Sequence, residues 1–275
     1  MKKEIKIIAL DLDGTTFNDD KIITDHTKEV IEEAISRGIE VLPCTGRQYS
    51  GLPKQFLDLK GVRYAITSNG AAIVDAKTGE PIYTNYIPYE TAAHYMEVFL
   101  KKDILVDIYI NGKCYIEERL TSKFERFASN ELQLNYLKKT RIPVQNLPDF
   151  IRKNHMDAEK FHILFADPAL RDSMREEYLK NADFKTTWAL VHNMELNAKT
   201  ADKGTAVLAL ADILGVPHEQ TMACGDGYND KPMLEKVGFS VAMENAEPEM
   251  KEICDFITKT NNEDGVAYTI ETFVL

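Results

Sequence analysis

The 275 residues hold 33 lysines and arginines against 44 aspartates and glutamates, a formal net charge of −11, with 44% hydrophobic and 28% charged side chains. That length is comfortable for two domains with a sizeable core, and the acidic balance argues against nucleic acid or an anionic membrane as partners. No stretch approaches the ~20 apolar residues of a membrane helix, and the N-terminal apolar run is too short for a signal peptide before it meets Asp11.

In chain order, Ile5-Lys6-Ile7-Ile8-Ala9-Leu10 reads as a buried strand, and Asp11-Leu12-Asp13-Gly14-Thr15 leaves its end. Carboxylates at i and i+2 of an extended segment share a side, so Asp11 and Asp13 at an apolar lip call for a cation. A divalent metal is the simplest compensation, and with a carboxylate nucleophile it suggests phosphoryl chemistry. Thr24 or Asp25 caps a helix through Ile35, which Gly38 ends. Ile39 to Pro43 is the next strand, followed by Thr45-Gly46-Arg47. Gln48 to Leu59 is expected to be helical. Tyr64 to Thr67 is a third strand leading into Ser68-Asn69-Gly70, and a hairpin turns at Lys77-Thr78-Gly79.

After about Asn85 the rhythm changes. Asn111-Gly112 marks a hairpin. Helices are expected around 121–131 and after Pro148, and strands at 160–166 and 184–191. This middle third, 85–197, reads as an inserted α+β domain with an antiparallel sheet. Tyr109, Tyr115, Phe124 and Trp188 are read as packing residues. From 198 the strand–helix alternation resumes: a helix from Lys203, a strand at 221–224, and then Gly225-Asp226-Gly227-Tyr228-Asn229-Asp230. The fold class is therefore α/β: a doubly wound, mostly parallel Rossmann-like core made of 1–84 and 198–275, with the cap between them.

The candidate site residues all stand at strand ends, where open parallel sheets bind ligands. The Thr45 hydroxyl and the Gly46 N–H can donate to a phosphate oxygen, while Arg47 either contacts substrate or braces its loop, with bracing preferred. Lys203 stands at a helix N-terminus, where an anion is already favoured. Asp226 is the third protein ligand for Mg²⁺ beside Asp11 and Asp13, since that ion prefers hard oxygen donors. Asn229 is within reach of the phosphate, and Asp230 supports the ligands from behind. The four cysteines form no C-x-x-C pair and have no histidine cluster beside them. That speaks against zinc and for small buried thiols in a reducing cytoplasm, with Cys44 and Cys224 as strand-end packing.

The order Asp pair, threonine, lysine, acidic loop resembles the haloacid dehalogenase superfamily of phosphatases. Ser68-Asn69-Gly70-Ala71, Asn245-Ala246 and Asn262-Glu263-Asp264-Gly265-Val266-Ala267 narrow the likeness to its Cof-type branch, over essentially the whole chain. The resemblance implies a nucleophilic Asp11 and an Asp13 that protonates the leaving oxygen with an otherwise free carboxyl. It implies Mg²⁺ on the Asp11 carboxylate, the Asp13 carbonyl and Asp226, and a phosphoryl group held by Thr45, Gly46, Lys203, Asn229 and the Leu12 N–H. The expected enzyme is a cytoplasmic phosphatase, monomer or weak homodimer. Its substrate would be a small phosphorylated metabolite: sugar phosphates first, then nucleotides, flavin mononucleotide or pyridoxal phosphate. A hexose phosphomutase and a non-catalytic phosphate-ligand sensor are the competing readings.

Overall fold

The computed structural model describes residues 2–275, and the chain divides into two compact units. One comprises the chain through Arg47, Leu52–Thr84 and Asp202–Leu275; the other comprises Gln48–Gly51 and Asn85–Ala201.

The first unit is built on a five-stranded parallel sheet in the order Phe256–Ile257, Phe239–Ala242, Thr221–Gly225, Ile7–Leu10, Glu40–Pro43. The apolar run Ile7–Leu10 lies between two neighbours, with Leu10 opposite Cys224 on one side and Pro43 on the other. All four of its residues are completely buried, as a strand covered on both faces requires. The carboxyl ends of these strands place three loops side by side. Asp11 N donates to Cys224 O at 3.1 Å and Cys44 N donates to Leu10 O at 2.7 Å.

A smaller antiparallel sheet of Tyr64–Thr67, Ala72–Asp75 and Pro81–Thr84 joins this unit through an isolated bridge from Ile66 to Cys44. Helix Asp25–Ser36 starts at Thr24, whose hydroxyl accepts from Thr27 N at 3.1 Å. The expected helix over 48–59 does not form. Gly51 and Pro53 interrupt it, leaving a single 3₁₀ turn at Tyr49–Gly51 and a short helix at Lys54–Leu57.

Helix Lys203–Leu214 is capped by Asp202, which accepts from Thr205 N at 2.7 Å. Its start is fixed by the Ser68-Asn69-Gly70 turn, where three successive residues adopt left-handed backbone with φ of 50°, 58° and 92°. Two of them carry side chains, which makes the turn strained. Backbone bonds over-determine it: Ser68 N donates to Arg47 O at 2.9 Å and Asn69 N to Thr45 O at 3.0 Å. At Gly70 a Cβ would lie 2.2 Å from Asp202 O. One turn thus holds both the Thr45–Arg47 loop and the residue that caps the Lys203 helix.

The second unit carries a six-stranded sheet in the order Phe184–Thr187, Asn193–Ala198, Lys160–Leu164, Leu105–Ile110, Lys113–Glu117, Arg141–Val144. The 184–191 strand is shorter than expected, and the Arg141–Val144 edge strand was not anticipated. Asn111 and Gly112, at φ 50° and 69°, make the hairpin turn. Alternation divides the sheet. Val106, Ile108, Phe161, Ile163, Met194 and Leu196 belong to this unit's apolar core. Asp107, Lys160, His162 and Glu195, at the alternate positions, make a buried ionic layer. Arg141 Nε donates to Asp107 Oδ2 at 2.9 Å and Lys160 Nζ to Glu195 Oε1 at 2.7 Å. Burial alone would raise the Asp107 carboxyl, but Arg141 and then His162 hold it well below the usual carboxylate range. Tyr109 and Phe124 are buried, and Arg175 lies 4.4 Å over the Trp188 ring.

Gly70→Ala is expected to cost about 2–3 kcal/mol, because the new methyl meets backbone rather than a flexible side chain. A denaturant midpoint equal to wild type would show that the turn yields.

Candidate active site

Asp11 is the first residue beyond its strand and lies almost wholly inside. Lys203, on the first turn of its helix, is completely buried. Its Nζ donates to Asp11 Oδ1 and to Asp230 Oδ1, each at 2.5 Å. The Asp230 Oδ2 accepts from the N–H groups of Asp226 and Gly227, each at 3.0 Å. Asp230 therefore does more than support its loop from behind: it is the second anion on Lys203 and the clamp of the acidic turn.

Asp226 receives the Thr15 hydroxyl on Oδ1 at 2.7 Å. Asp11, Asp226 and Asp230 each present a carboxylate oxygen within 4.8 Å of the others. Three carboxylates beside one ammonium leave the cluster negative. Burial, then Asp230, push the Asp11 carboxyl well up, with Lys203 opposing. Burial and then Asp230 push Asp226 up to about 7. Burial alone would lower the Lys203 ammonium, but Asp11 and Asp230 outweigh it and raise the group. The all-oxygen donor set fits a hard divalent cation. Both Asp230 oxygens are already engaged, whereas Asp11 Oδ2 and Asp226 Oδ2 have no hydrogen-bond partner among the described residues. These two are the atoms that would face a cation.

Asp13 departs from expectation. Its carboxyl is not free: Arg47 donates from Nε and Nη2 to Oδ2 at 3.0 and 2.7 Å, and Lys21 Nζ reaches Oδ1 at 3.1 Å. Burial alone would raise this carboxyl, but Arg47 and then Lys21 hold it below its ordinary value. A guanidinium reaching an acidic lip from the next strand end gains a charge-assisted, forked pair. Arg47 also braces its loop through its carbonyl, which accepts from Ser68 N.

The other residues sit as follows. Leu12 is buried, and its carbonyl accepts from Thr16 N at 3.1 Å and Phe17 N at 2.8 Å. Thr45 is buried at the end of the Glu40–Pro43 strand, its hydroxyl accepting from Arg47 N at 3.3 Å, with Gly46 between them. Asn229 is half-buried in the acidic turn beside Gly227. None of these four touches the Asp11–Lys203–Asp230 cluster through a hydrogen bond. Sequence reasoning did not single out Thr15 or Lys21. Thr15 was visible as the last residue of the Asp-x-Asp-Gly-Thr run, while Lys21 carries no local signal. The four cysteines are free thiols, with Cys44 and Cys224 fully buried.

A parallel α/β core with a buried aspartate–lysine cluster at the carboxyl ends of its strands is the framework of a phosphatase. The family described as haloacid dehalogenase-like hydrolase matches residues 8–270. M6_Spy0533 of Streptococcus pyogenes serotype M6, named provisionally as a phosphatase, is 34% identical over 98% of this chain and 99% of its own. YcsE of Bacillus subtilis, named a 5-amino-6-(5-phospho-D-ribitylamino)uracil phosphatase, is 30% identical over 99% of this chain and 97% of its own. A solved haloacid dehalogenase-like hydrolase from B. subtilis superposes with a TM-score of 0.84 at 27% identity, over 98% of this chain and 100% of that one. The chain belongs to the haloacid dehalogenase-like hydrolases and is a phosphatase. Phosphatases of this superfamily generally use a divalent metal.

Two outcomes are expected. Lys203→Met leaves Asp11 and Asp230 buried without their cation, and the denaturant midpoint should fall by the equivalent of about 3–5 kcal/mol. The second concerns pH. Because Asp226 titrates higher folded than unfolded, the cost of ionising it is absent near pH 4 and grows as the pH rises to about 7. Cation-free protein should therefore lose thermal stability between about pH 4 and pH 7 and level off above that, with added divalent cation restoring most at the upper end. Melting curves with and without chelator decide this.

Proposed function

We propose that the protein is a Mg²⁺-dependent phosphatase of small phosphomonoesters, acting through an aspartyl-phosphate on Asp11. The observation that carries this reading is the cluster itself: a buried aspartate held by Lys203 on one oxygen, with a carboxylate oxygen within 4.8 Å of one on Asp226.

Asp11 attacks phosphorus as the bond to the leaving oxygen breaks. Asp13 gives that oxygen a proton and later takes one from the water that cleaves the acyl phosphate. Thr45, Gly46, Lys203, Asn229 and the Leu12 N–H hold the oxygens of the transferring group. Mg²⁺, held by Asp11, the Asp13 carbonyl and Asp226, would neutralise charge on the phosphoryl oxygens. The Arg47 pair adds a condition: Asp13 can deliver a proton only when the guanidinium releases its carboxylate. Lys203 keeps one Asp11 oxygen oriented, and Asp230 keeps Lys203 charged and in place.

Sugar phosphates are the first substrate class. The B. subtilis relative named for a phosphorylated ribityl compound adds linear polyol phosphates to the same group. The test is phosphate release from a broad metabolite panel with Mg²⁺, read as kcat/KM. Asp11→Asn should lower kcat roughly a thousandfold or more, on aryl and alkyl esters alike, with no acid-stable label transferred from substrate to protein. Asp13→Asn should lower it about 10²- to 10⁴-fold on alkyl phosphates and much less on p-nitrophenyl phosphate, whose leaving group needs no proton. Wild-type turnover by Asp11→Asn would end this assignment.

A further inference from the structure

The asparagines that helped mark the family resemblance, Asn245 and the neighbours of Asn262, take no part in the chemistry above. Asn245 lies in the loop after the strand Phe239–Ala242 and is exposed. Both ends of its amide are nevertheless committed: Nδ2 donates to Gly14 O at 2.7 Å, and Oδ1 accepts from Asn261 N at 2.9 Å. The Asn261 side chain donates to Phe17 O at 3.0 Å and to Asp19 Oδ1 at 3.2 Å. Two consecutive amides thus tie down both ends of the Gly14–Phe17 segment.

Gly14 has φ +87°, which turns its carbonyl out of the strand direction, and Asn245 is the only hydrogen-bond partner of that carbonyl among the described residues. The Gly14–Thr15 peptide lies directly against Asp226. The Thr15 hydroxyl donates to Asp226 Oδ1 at 2.7 Å, and a Cβ on Gly14 would stand 2.4 Å from Asp226 Oδ2. Gly14 also follows Asp13, so this peptide is joined through a single α-carbon to the peptide that carries the Asp13 carbonyl.

We propose that Asn245 is a positioning residue for the cation site: its amide sets the Gly14–Thr15 peptide against the Asp226 carboxylate and, through it, the Asp13 carbonyl. The inference rests on the cation reading of the previous section. An asparagine suits the task because a carbonyl and an N–H must be met at once by a donor and an acceptor on one rigid plane. Aspartate would put an acceptor against the Gly14 carbonyl, and alanine would leave that carbonyl to water. Groups that orient metal ligands without touching the metal typically change affinity by about 10- to 100-fold when removed.

The experiment is Mg²⁺ titration by calorimetry on chelator-treated full-length protein, paired with melting of the cation-free form. The variants are Asn245→Ala, Asn245→Asp and the control Asn262→Ala. Asn262 also pairs with this region, through Asp19 at 3.0 Å, but at its far end. Both Asn245 variants should bind Mg²⁺ about tenfold more weakly or worse, with cation-free melting unchanged, while Asn262→Ala binds as wild type. The proposal is overturned if Asn245→Ala keeps wild-type affinity, if Asn262→Ala weakens binding equally, or if Asn245→Ala lowers cation-free stability alone. Wild-type protein that takes up no Mg²⁺ overturns the cation reading itself, and that result needs no variant to be seen.

Discussion

The constraint behind this molecule is one ammonium with no access to water, shared by two carboxylates. A buried lysine is tolerable only when paired, and a buried pair is stable only when its geometry is enforced. The first unit supplies that enforcement from several directions. Asp202 caps the helix that starts with Lys203 and is itself held by Lys236 Nζ at 2.9 Å. A Cβ on Gly204 would lie 2.1 Å from Pro232 O, so the helix start can approach the short helix Lys231–Leu234, which follows the acidic turn, only at a glycine. The strained Ser68–Gly70 turn closes the other side. The result is an aspartate whose orientation is fixed and a cluster in which three carboxylates share one ammonium.

The two aspartates of the opening motif are treated oppositely by their surroundings. Asp11 is driven toward its neutral form by burial and by Asp230, and Asp13 toward its charged form by Arg47 and Lys21. Two carboxyls separated by one residue thus differ in electrostatic character before any substrate arrives. This polarity is the reverse of the one that a nucleophile at Asp11 and an acid at Asp13 need, so the proposed chemistry requires a cation beside Asp11 and release of Asp13 by Arg47. On the proposed mechanism, the forked Arg47 pair would have to open before Asp13 acts as an acid.

Much of this was legible in the chain. Strand-end motifs announce themselves through local chemistry: an apolar run followed by Asp-x-Asp-Gly-Thr, or a strand followed by two glycines and two acids, is readable without tertiary information. The structure brings Asp11, Lys203, Asp226 and Asp230 within one cluster. What escaped was whatever depends on side-chain reach. Nothing local says that Arg47 grips Asp13, that Asp230 spends both oxygens inside the protein, or that an exposed Asn245 meets Gly14. The second unit was hard for a related reason. Lys160, His162 and Glu195 look like solvent-facing positions of a one-sided sheet, and only the charges on neighbouring strands allow them to be buried. The edge strand Arg141–Val144 contains Pro143, which signals against a strand unless the strand lies at an edge.

The tetrapeptide Gln48–Gly51 bears on how this protein can be taken apart. It follows Arg47 directly, yet it belongs with the second unit, where Ser50 N donates to Gly112 O at 3.0 Å. The inserted unit is therefore not a cassette with two splice points. The polypeptide changes unit at four places, and a chimera that exchanges only the long insertion would strand this tetrapeptide against a foreign hairpin. Because the residue just before it holds the Asp13 carboxyl, such a swap would disturb the surroundings of Asp13 without replacing any residue of the buried Asp11–Lys203 cluster. Modular recombination of these enzymes must move two segments together.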